Sequence, residues 1–212
     1  MATDFESMLF TIIVLILSII IHEVAHGWAA YALGDPTAKL SGRLTMNPLA
    51  HIDPVGSVLI PGLLVLTNAG MLFGWAKPVP YNPYNLKNQR WGEAIVGSAG
   101  VLTNLLLAVV FALVARFAFS AGYEEYAALS ATVSFVNLFL GMFNLIPFPP
   151  LDGFTVLRGL IPPKYSLMFR EFEHRLQSGG VFTLLLFLFI FSSFLAEPFH
   201  ALVLYVFGLL LG

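Results

Sequence analysis

No cysteine occurs in this chain, so disulfides and thiolate ligands are excluded and any metal must be held by His, Asp or Glu. Charge is nearly as scarce. Only 10% of the 212 residues are Asp, Glu, Lys or Arg, against about 25% in a soluble globular domain. The net charge of −2 leaves no basic surface for nucleic acid. Residues 1–6 lack the basic stretch that opens a signal peptide, so the first apolar run is expected to stay in place as a membrane helix. The sequence shows no internal repeat and no low-complexity tract. Its longest polar gap is about 25 residues, too short for a separate soluble domain. What the chain has in abundance is apolar residues, 58% of the total, the composition of an all-α polytopic membrane protein.

Taken in order, the first apolar run spans 5–33 and stops at Gly34-Asp35-Pro36, a helix C-terminus signal. Residues 37–53 are polar, and the alternation Leu40, Gly42, Leu44, Met46 suits an extended segment. A shorter apolar run, 57–73, follows, and then a polar stretch in which Trp75-Ala76-Lys77-Pro78-Val79-Pro80 also looks extended. Spans are expected at 93–119 and 127–146, separated by a turn at 120–126. The most charged stretch is 154–178, and 179–196 and 198–211 form a last apolar pair broken at Glu197-Pro198. Nine of the ten Lys and Arg fall in 34–56, 75–92 and 154–178, and Arg116 can snorkel from a helix end. Such residues mark cytoplasmic loops. For the first two segments to share a side, 57–73 must enter and leave together, as a re-entrant or interfacial segment. The expected architecture has about five transmembrane helices, that segment, and short extended β segments on the cytoplasmic side. It forms one membrane-embedded unit over 1–212, with a core at about 5–160 and a C-terminal helical hairpin at about 179–212.

The chemistry lies in the first helix. His22-Glu23-Val24-Ala25-His26 places two histidines four residues apart, about 40° apart around a helix and one turn apart along it. Both imidazoles can reach one ion, and Glu23 projects beside them, a pattern suited to Zn²⁺ with a carboxylate near its water. The plainer reading is a helix with two core histidines and an acid. Three ionisable groups inside a bilayer segment, however, are costly unless paired or metal-bound. Counted from Met8, His22 lies about 21 Å along the axis, past the midplane of a core about 30 Å thick. A third ligand is needed, and Asp152 is the best-placed acid, at the C-terminal end of its span. It meets the histidines only if both helices run in one direction, with 93–119 as the crossing between them. Asp152 followed by Gly153 also reads as a turn or as the cap of a helix starting near residue 154.

With Asn144-Leu145-Ile146-Pro147-Phe148-Pro149-Pro150-Leu151-Asp152-Gly153 far downstream of the histidine motif, the sequence resembles the site-2 protease family of intramembrane zinc metalloproteases, peptidase family M50. Gly97-Ser98-Ala99-Gly100-Val101-Leu102-Thr103-Asn104 is similar to that family's central motif, although many members carry Gly-Pro where this chain has Gly100-Val101. The stretches 47–54 and 74–80 are similar to the compact branch without PDZ or CBS domains. The resemblance covers about residues 15–160. It implies His22, His26 and Asp152 as zinc ligands, Glu23 as general base, and a transmembrane or membrane-proximal helix of another protein as substrate; the polar residues on the cytoplasmic side of the cell membrane suggest that water reaches the active site from there. Asn144, about two helical turns before Asp152, is a candidate oxyanion donor or else a packing hydrogen bond. Asn104 reads as interhelical glue. His51 is expected to make a local hydrogen bond, since a fourth protein ligand would close the site. Asp53 reads as an Asx turn before Pro54, and His174 and His200 as surface or interface residues. Segments 37–46 and 75–81 could offer an edge to an unwound substrate. Without an attached regulatory domain, substrate selection would rest on a separate regulatory protein or on instability of the substrate helix. A metal or solute transporter and a proteolytically silent scaffold are the competing functions.

Overall fold

The computed structural model describes residues 2–59, 62, 63, 66 and 76–212. The elements are α1 (Ala2–Ala32), α2 (Thr37–Leu40), α3 (Gly92–Ser120), α4 (Glu124–Asn144), α5 (Asp152–Leu160), α6 (Pro163–Ser178), α7 (Gly180–Ile190) and α8 (Ala196–Leu211). Four helical runs among the described residues are long and apolar enough to cross a membrane: Phe5–Ala32, Gly92–Ser120, Glu124–Asn144 and Leu185–Leu211. The 29 residues of α3 rise about 43 Å, more than a bilayer core. Large apolar side chains such as Leu106, Leu113 and Phe117 point outwards, while Ser18, Asn104, Ser134, Asn137, Ala108 and Ala112 are buried. Small and polar residues inside an apolar exterior are the pattern of helices that associate in lipid.

Side-chain hydrogen bonds fix the helix directions. His22 meets Asn104 and, one turn on, His26 meets Val96, so α1 and α3 are antiparallel. Asn104 meets Asn137, and Ser134 donates to the carbonyl of Ala108, so α4 is antiparallel to α3 and parallel to α1. The same-direction arrangement expected for the two ligand-bearing segments is therefore present, with α3 between them. The chain leaving α1 returns beside it: Lys87 N donates to Leu33 O at 2.8 Å, and Ala30, Leu86 and Val96 share one apolar cluster. Glu93 at the start of α3 pairs with Arg158 of α5 and Arg170 of α6. The three basic segments thus gather at one end of the bundle.

Three expectations are corrected. Among the described residues there is no strand at 37–46 or 76–81. Thr37–Leu40 is a helical turn, closed by Gly42 at φ +65° with Gly42 N to Lys39 O and Arg43 N to Ala38 O, the Schellman pattern. At 76–81, Pro78 and Pro80 have no N–H for a ladder. Lys77 N is taken by His51 O, and Arg43 Nη2 holds the carbonyls of Lys77 and Pro78. The expected C-terminal hairpin is instead one helical run, in which α7 passes through a π turn at Phe191–Leu195 into α8. Pro198 removes one N–H of the i→i−4 ladder near that turn, and the wider π turn accommodates the loss. Among the described residues the helical runs able to span number four, the last expected pair counting as one. Aromatic contacts of Phe143 with Phe187, Phe191 and Phe199 hold this run against α4. The expected re-entrant segment 57–73 falls mostly outside the described residues.

The end of α1 is fastened by Asp35. Gly34 at φ +104° turns the chain out of the helix, and the fully buried Asp35 then accepts hydrogen bonds from Thr37 Oγ1 (2.6 Å), Asn85 Nδ2 (2.8 Å) and Asn82 N (2.7 Å). Burial opposes the charge, but the hydrogen bonds from Thr37, Asn85 and Asn82 outweigh it and hold the carboxyl below its usual range. D35N is expected to cost about 2–3 kcal/mol near neutral pH, seen as a lower Tm in detergent. A lowered folded-state pKa contributes stability that is complete above the unfolded value of about 3.9 and is lost as pH falls through the folded value. The Tm gap between wild type and D35N should therefore narrow below about pH 4. A gap of equal size at pH 7 and pH 3 would refute this account.

Candidate metal centre

Val14, Ser18, His22, His26 and Ala30 recur every fourth residue on α1, and all are buried, so one stripe carries both histidines inward. Asp152 arrives from the other side. After α4 ends at Asn144, the chain turns through 145–151, and Asp152 is the first residue of α5. A Cβ on Gly153 would collide with the carbonyl oxygen of Leu145, so only glycine lets this turn close. α5 packs on α3 through small residues: Gly159 faces Ala94, and Gly97 faces Thr155. Arg158 adds ion pairs to Glu93 (2.7 Å) and to Glu173. The helix that presents Asp152 is thus fastened along its length, with the carboxylate at a helix N-terminus, where negative charge is favoured.

Three donor atoms converge. His22 Nε2 and His26 Nε2 lie 3.0 Å apart, and Asp152 Oδ2 lies 2.8 Å from the first and 3.2 Å from the second. Donors about 2.1 Å from a tetrahedral zinc are about 3.4 Å from one another. The triangle is close to that size. His26 Nδ1 is 2.6 Å from Val96 O, a backbone carbonyl that can only accept, so Nδ1 carries a hydrogen and, in the neutral ring, Nε2 is the nitrogen free to ligate. His22 Nδ1 is 2.5 Å from Asn104 Oδ1 and has the same assignment. Asp152 Oδ2 is buried without a hydrogen-bond partner. A proton could bridge one edge of this triangle, whereas a divalent cation satisfies all three corners. The donor set, two imidazoles and a carboxylate, leaves a fourth tetrahedral position for water.

The remaining expected residues are placed as follows. Glu23 is half-buried next to the pair, and its Oε2 accepts from Val79 N at 2.9 Å. Asn144 lies at the end of α4, and its amide donates to Leu140 O at 3.1 Å within its own helix. His51 is buried, and its Nε2 donates to Thr45 O at 2.8 Å, the local bond expected of it. Asp53 Oδ1 accepts from Val55 N and Gly56 N, the expected Asx turn. His174 and His200 are exposed. Asn104 does more than join helices, because its oxygen orients the His22 ring. The sequence reading missed Ser18, Val96 and Asn137. Ser18 and Asn137 are polar residues in apolar runs, a signal that could have found them, whereas a backbone carbonyl such as that of Val96 has none.

The apolar helices and this donor set define a membrane-embedded metalloenzyme. The sequence profile of peptidase family M50 matches residues 10–134 and 118–187. YwhC of Bacillus subtilis, whose name assigns it provisionally to the zinc metalloproteases, is 40% identical over 198 residues, covering 89% of this chain and 84% of YwhC. Rip2 of Mycobacterium tuberculosis, with a provisional name of the same kind, is 29% identical over 173 residues, 82% of this chain and 64% of Rip2. The zinc metalloprotease MJ0392 of Methanocaldococcus jannaschii is 28% identical over 156 residues, 74% of this chain but 35% of MJ0392. No solved structure matches the chain. The chain belongs to peptidase family M50, the site-2 protease family, and is a zinc metalloprotease.

Gly100 of α3 lies directly against the donor atoms, so that a Cβ there would sit 2.5 Å from His26 Nε2 and 2.7 Å from His22 Nε2. G100A is therefore expected to lower zinc content from about one per chain towards zero, measured by elemental analysis of detergent-purified protein, with helicity by circular dichroism retained. Full zinc occupancy in G100A would show that the ion is held elsewhere.

Proposed function

We propose that this zinc metalloprotease cleaves peptide bonds in or near the transmembrane segments of other membrane proteins, with His22, His26 and Asp152 as the zinc ligands and Glu23 as the general base. The observation that supports this reading most directly is the convergence of three potential ligand atoms within a bundle of apolar helices. Bound there, zinc supplies a Lewis acid that lowers the pKa of a water to about 7 and polarises the scissile carbonyl. Glu23 takes the proton of the attacking water and returns it to the leaving amine. The Val79 N–H holds one oxygen of the Glu23 carboxylate, which orients the base. Asn144, at the end of α4 and eight residues before Asp152, donates to the oxyanion once its amide turns away from Leu140.

A substrate helix shields its own carbonyls, so it must unwind before attack. The three basic segments at one end of the bundle make that end cytoplasmic, and water enters the site from there. The chain acts as one membrane-embedded unit over 1–212. Its partners are the bilayer and the substrate helix, and substrates are selected by a separate regulatory protein or by the instability of the substrate helix itself.

The test is zinc content and cleavage of a model transmembrane peptide by detergent-purified protein, wild type beside E23Q. About one zinc per chain is expected in both, with cleavage lost by at least about 10²-fold in E23Q. Zinc in both with cleavage in neither would count against proteolysis and for transport or a scaffold role. N144A separates the two roles of Asn144. An oxyanion donor costs about 10²–10³ in kcat with KM little changed, while a packing role lowers Tm and leaves kcat intact.

A further inference from the structure

A buried chain of hydrogen bonds runs from α4 through α3 to the His22 ring. Asn137 Nδ2 lies 2.9 Å from Val133 O and 2.9 Å from Ser18 Oγ. Asn137 Oδ1 accepts from Asn104 Nδ2 at 2.9 Å, and Asn104 Oδ1 faces His22 Nδ1 at 2.5 Å. Ser18, Asn104 and Asn137 are each at most 3% exposed, so no bulk water can replace a missing partner.

We infer that Asn137 is a positioning residue for the zinc site, fixing the tautomer of His22 through Asn104 although it does not touch His22. The inference rests on the reading of His22 as a zinc ligand, and its logic is one of donors and acceptors alone. Val133 O is a backbone carbonyl and can only accept, so the nitrogen of the Asn137 amide must face it and the oxygen must face Asn104. That oxygen can only accept, so Asn104 presents its nitrogen to Asn137 and its oxygen to His22. Asn104 Oδ1 in turn can only accept, so His22 Nδ1 carries the hydrogen and Nε2 keeps its lone pair for the metal. Without Asn137, either end of the Asn104 amide can face His22. The reversed amide donates to Nδ1 and favours a hydrogen on Nε2, the atom that must bind.

The experiment measures Zn²⁺ affinity of metal-stripped protein in detergent by chelator competition, with Co²⁺ absorption as a second readout of ligand geometry. No cleavage assay is involved. N137L is expected to weaken Zn²⁺ about 10–100-fold and to diminish the Co²⁺ bands. The decisive comparison is N104D beside N104D/N137L. A carboxylate at 104 has no reversed orientation and sets an acceptor against Asn137 Oδ1, so the second substitution should then cost nothing or relieve that repulsion, and the double variant should bind at least as tightly as N104D does. Wild-type affinity in N137L, or equal weakening by N137L in both backgrounds, would overturn the inference and leave Asn137 a packing residue. Should N137L not fold, N137A carries the same comparison with the same expected outcomes. A wild-type chain that binds no zinc would overturn the metal-centre reading itself, whereas zinc binding without peptide cleavage would leave this inference standing and remove only the protease reading.

Discussion

Three lone pairs share one small volume between α1 and α5, and the arrangement of the bundle answers to them. His22 and His26 commit their Nδ1 hydrogens to carbonyl oxygens, so both present bare Nε2 atoms to each other and to Asp152. At such short separations these acceptors repel unless a cation reconciles them. Each neighbouring helix meets part of that demand. α1 supplies the two imidazoles one turn apart. α3 supplies both carbonyl acceptors and, at Gly100, the absence of a Cβ that would occupy the ion's place. α5 brings the carboxylate, and α4 contributes the amide that orients Asn104.

Helices in lipid gain little from burying apolar surface against each other, so close approach and interhelical hydrogen bonds must hold them. Gly159 lets α5 lie against the α3 backbone at Ala94, while Gly97 and Gly141 make room for the side chains of Thr155 and Leu105. The Glu93–Arg158–Glu173 and Glu93–Arg170 pairs then lock α5 and α6 to the start of α3. Glu93 is the buried member, and removing it strands the Arg158 guanidinium in a largely covered place. The precision demanded at Asp152 is thus secured about two helical turns away, at Arg158, rather than at the site itself.

How much of this could be read from residues alone depends on the range of the interaction. The histidine pair, the stop at Gly34-Asp35-Pro36 and the Asx turn at Asp53 are local patterns, and the structure has them all. The common direction of α1 and α4 was also legible, because the third ligand had to reach the first two. Residues 37–46 misled because the alternation of Leu40, Leu44 and Met46 matched a strand period, while Gly42 at positive φ closes a helical turn that Thr37 begins with its hydroxyl on Asp35. The last apolar pair misled because a proline usually ends a helix, yet a π turn can carry the chain past one. Asn137 stood out only as a polar residue in an apolar run, and its partners were not legible because they lie on two other helices.

Glu23 shows how the site and the loops at its end of the bundle are tied together. Its carboxylate is oriented by the Val79 N–H, and Val79 follows two residues whose carbonyls are held by Arg43. Lys77 is held in addition through its N–H by His51 O, and Leu44 and Val79 press on Gly27, one residue after His26. The segment 76–80 therefore satisfies its backbone through α1 and the 43–51 region, with no sheet partner among the described residues. In the proposed reaction a peptide must come within reach of Glu23 at the end of the bundle this segment covers. A shift of the segment that widens the approach also releases the carboxylate, so access to the base and orientation of the base depend on the same few hydrogen bonds.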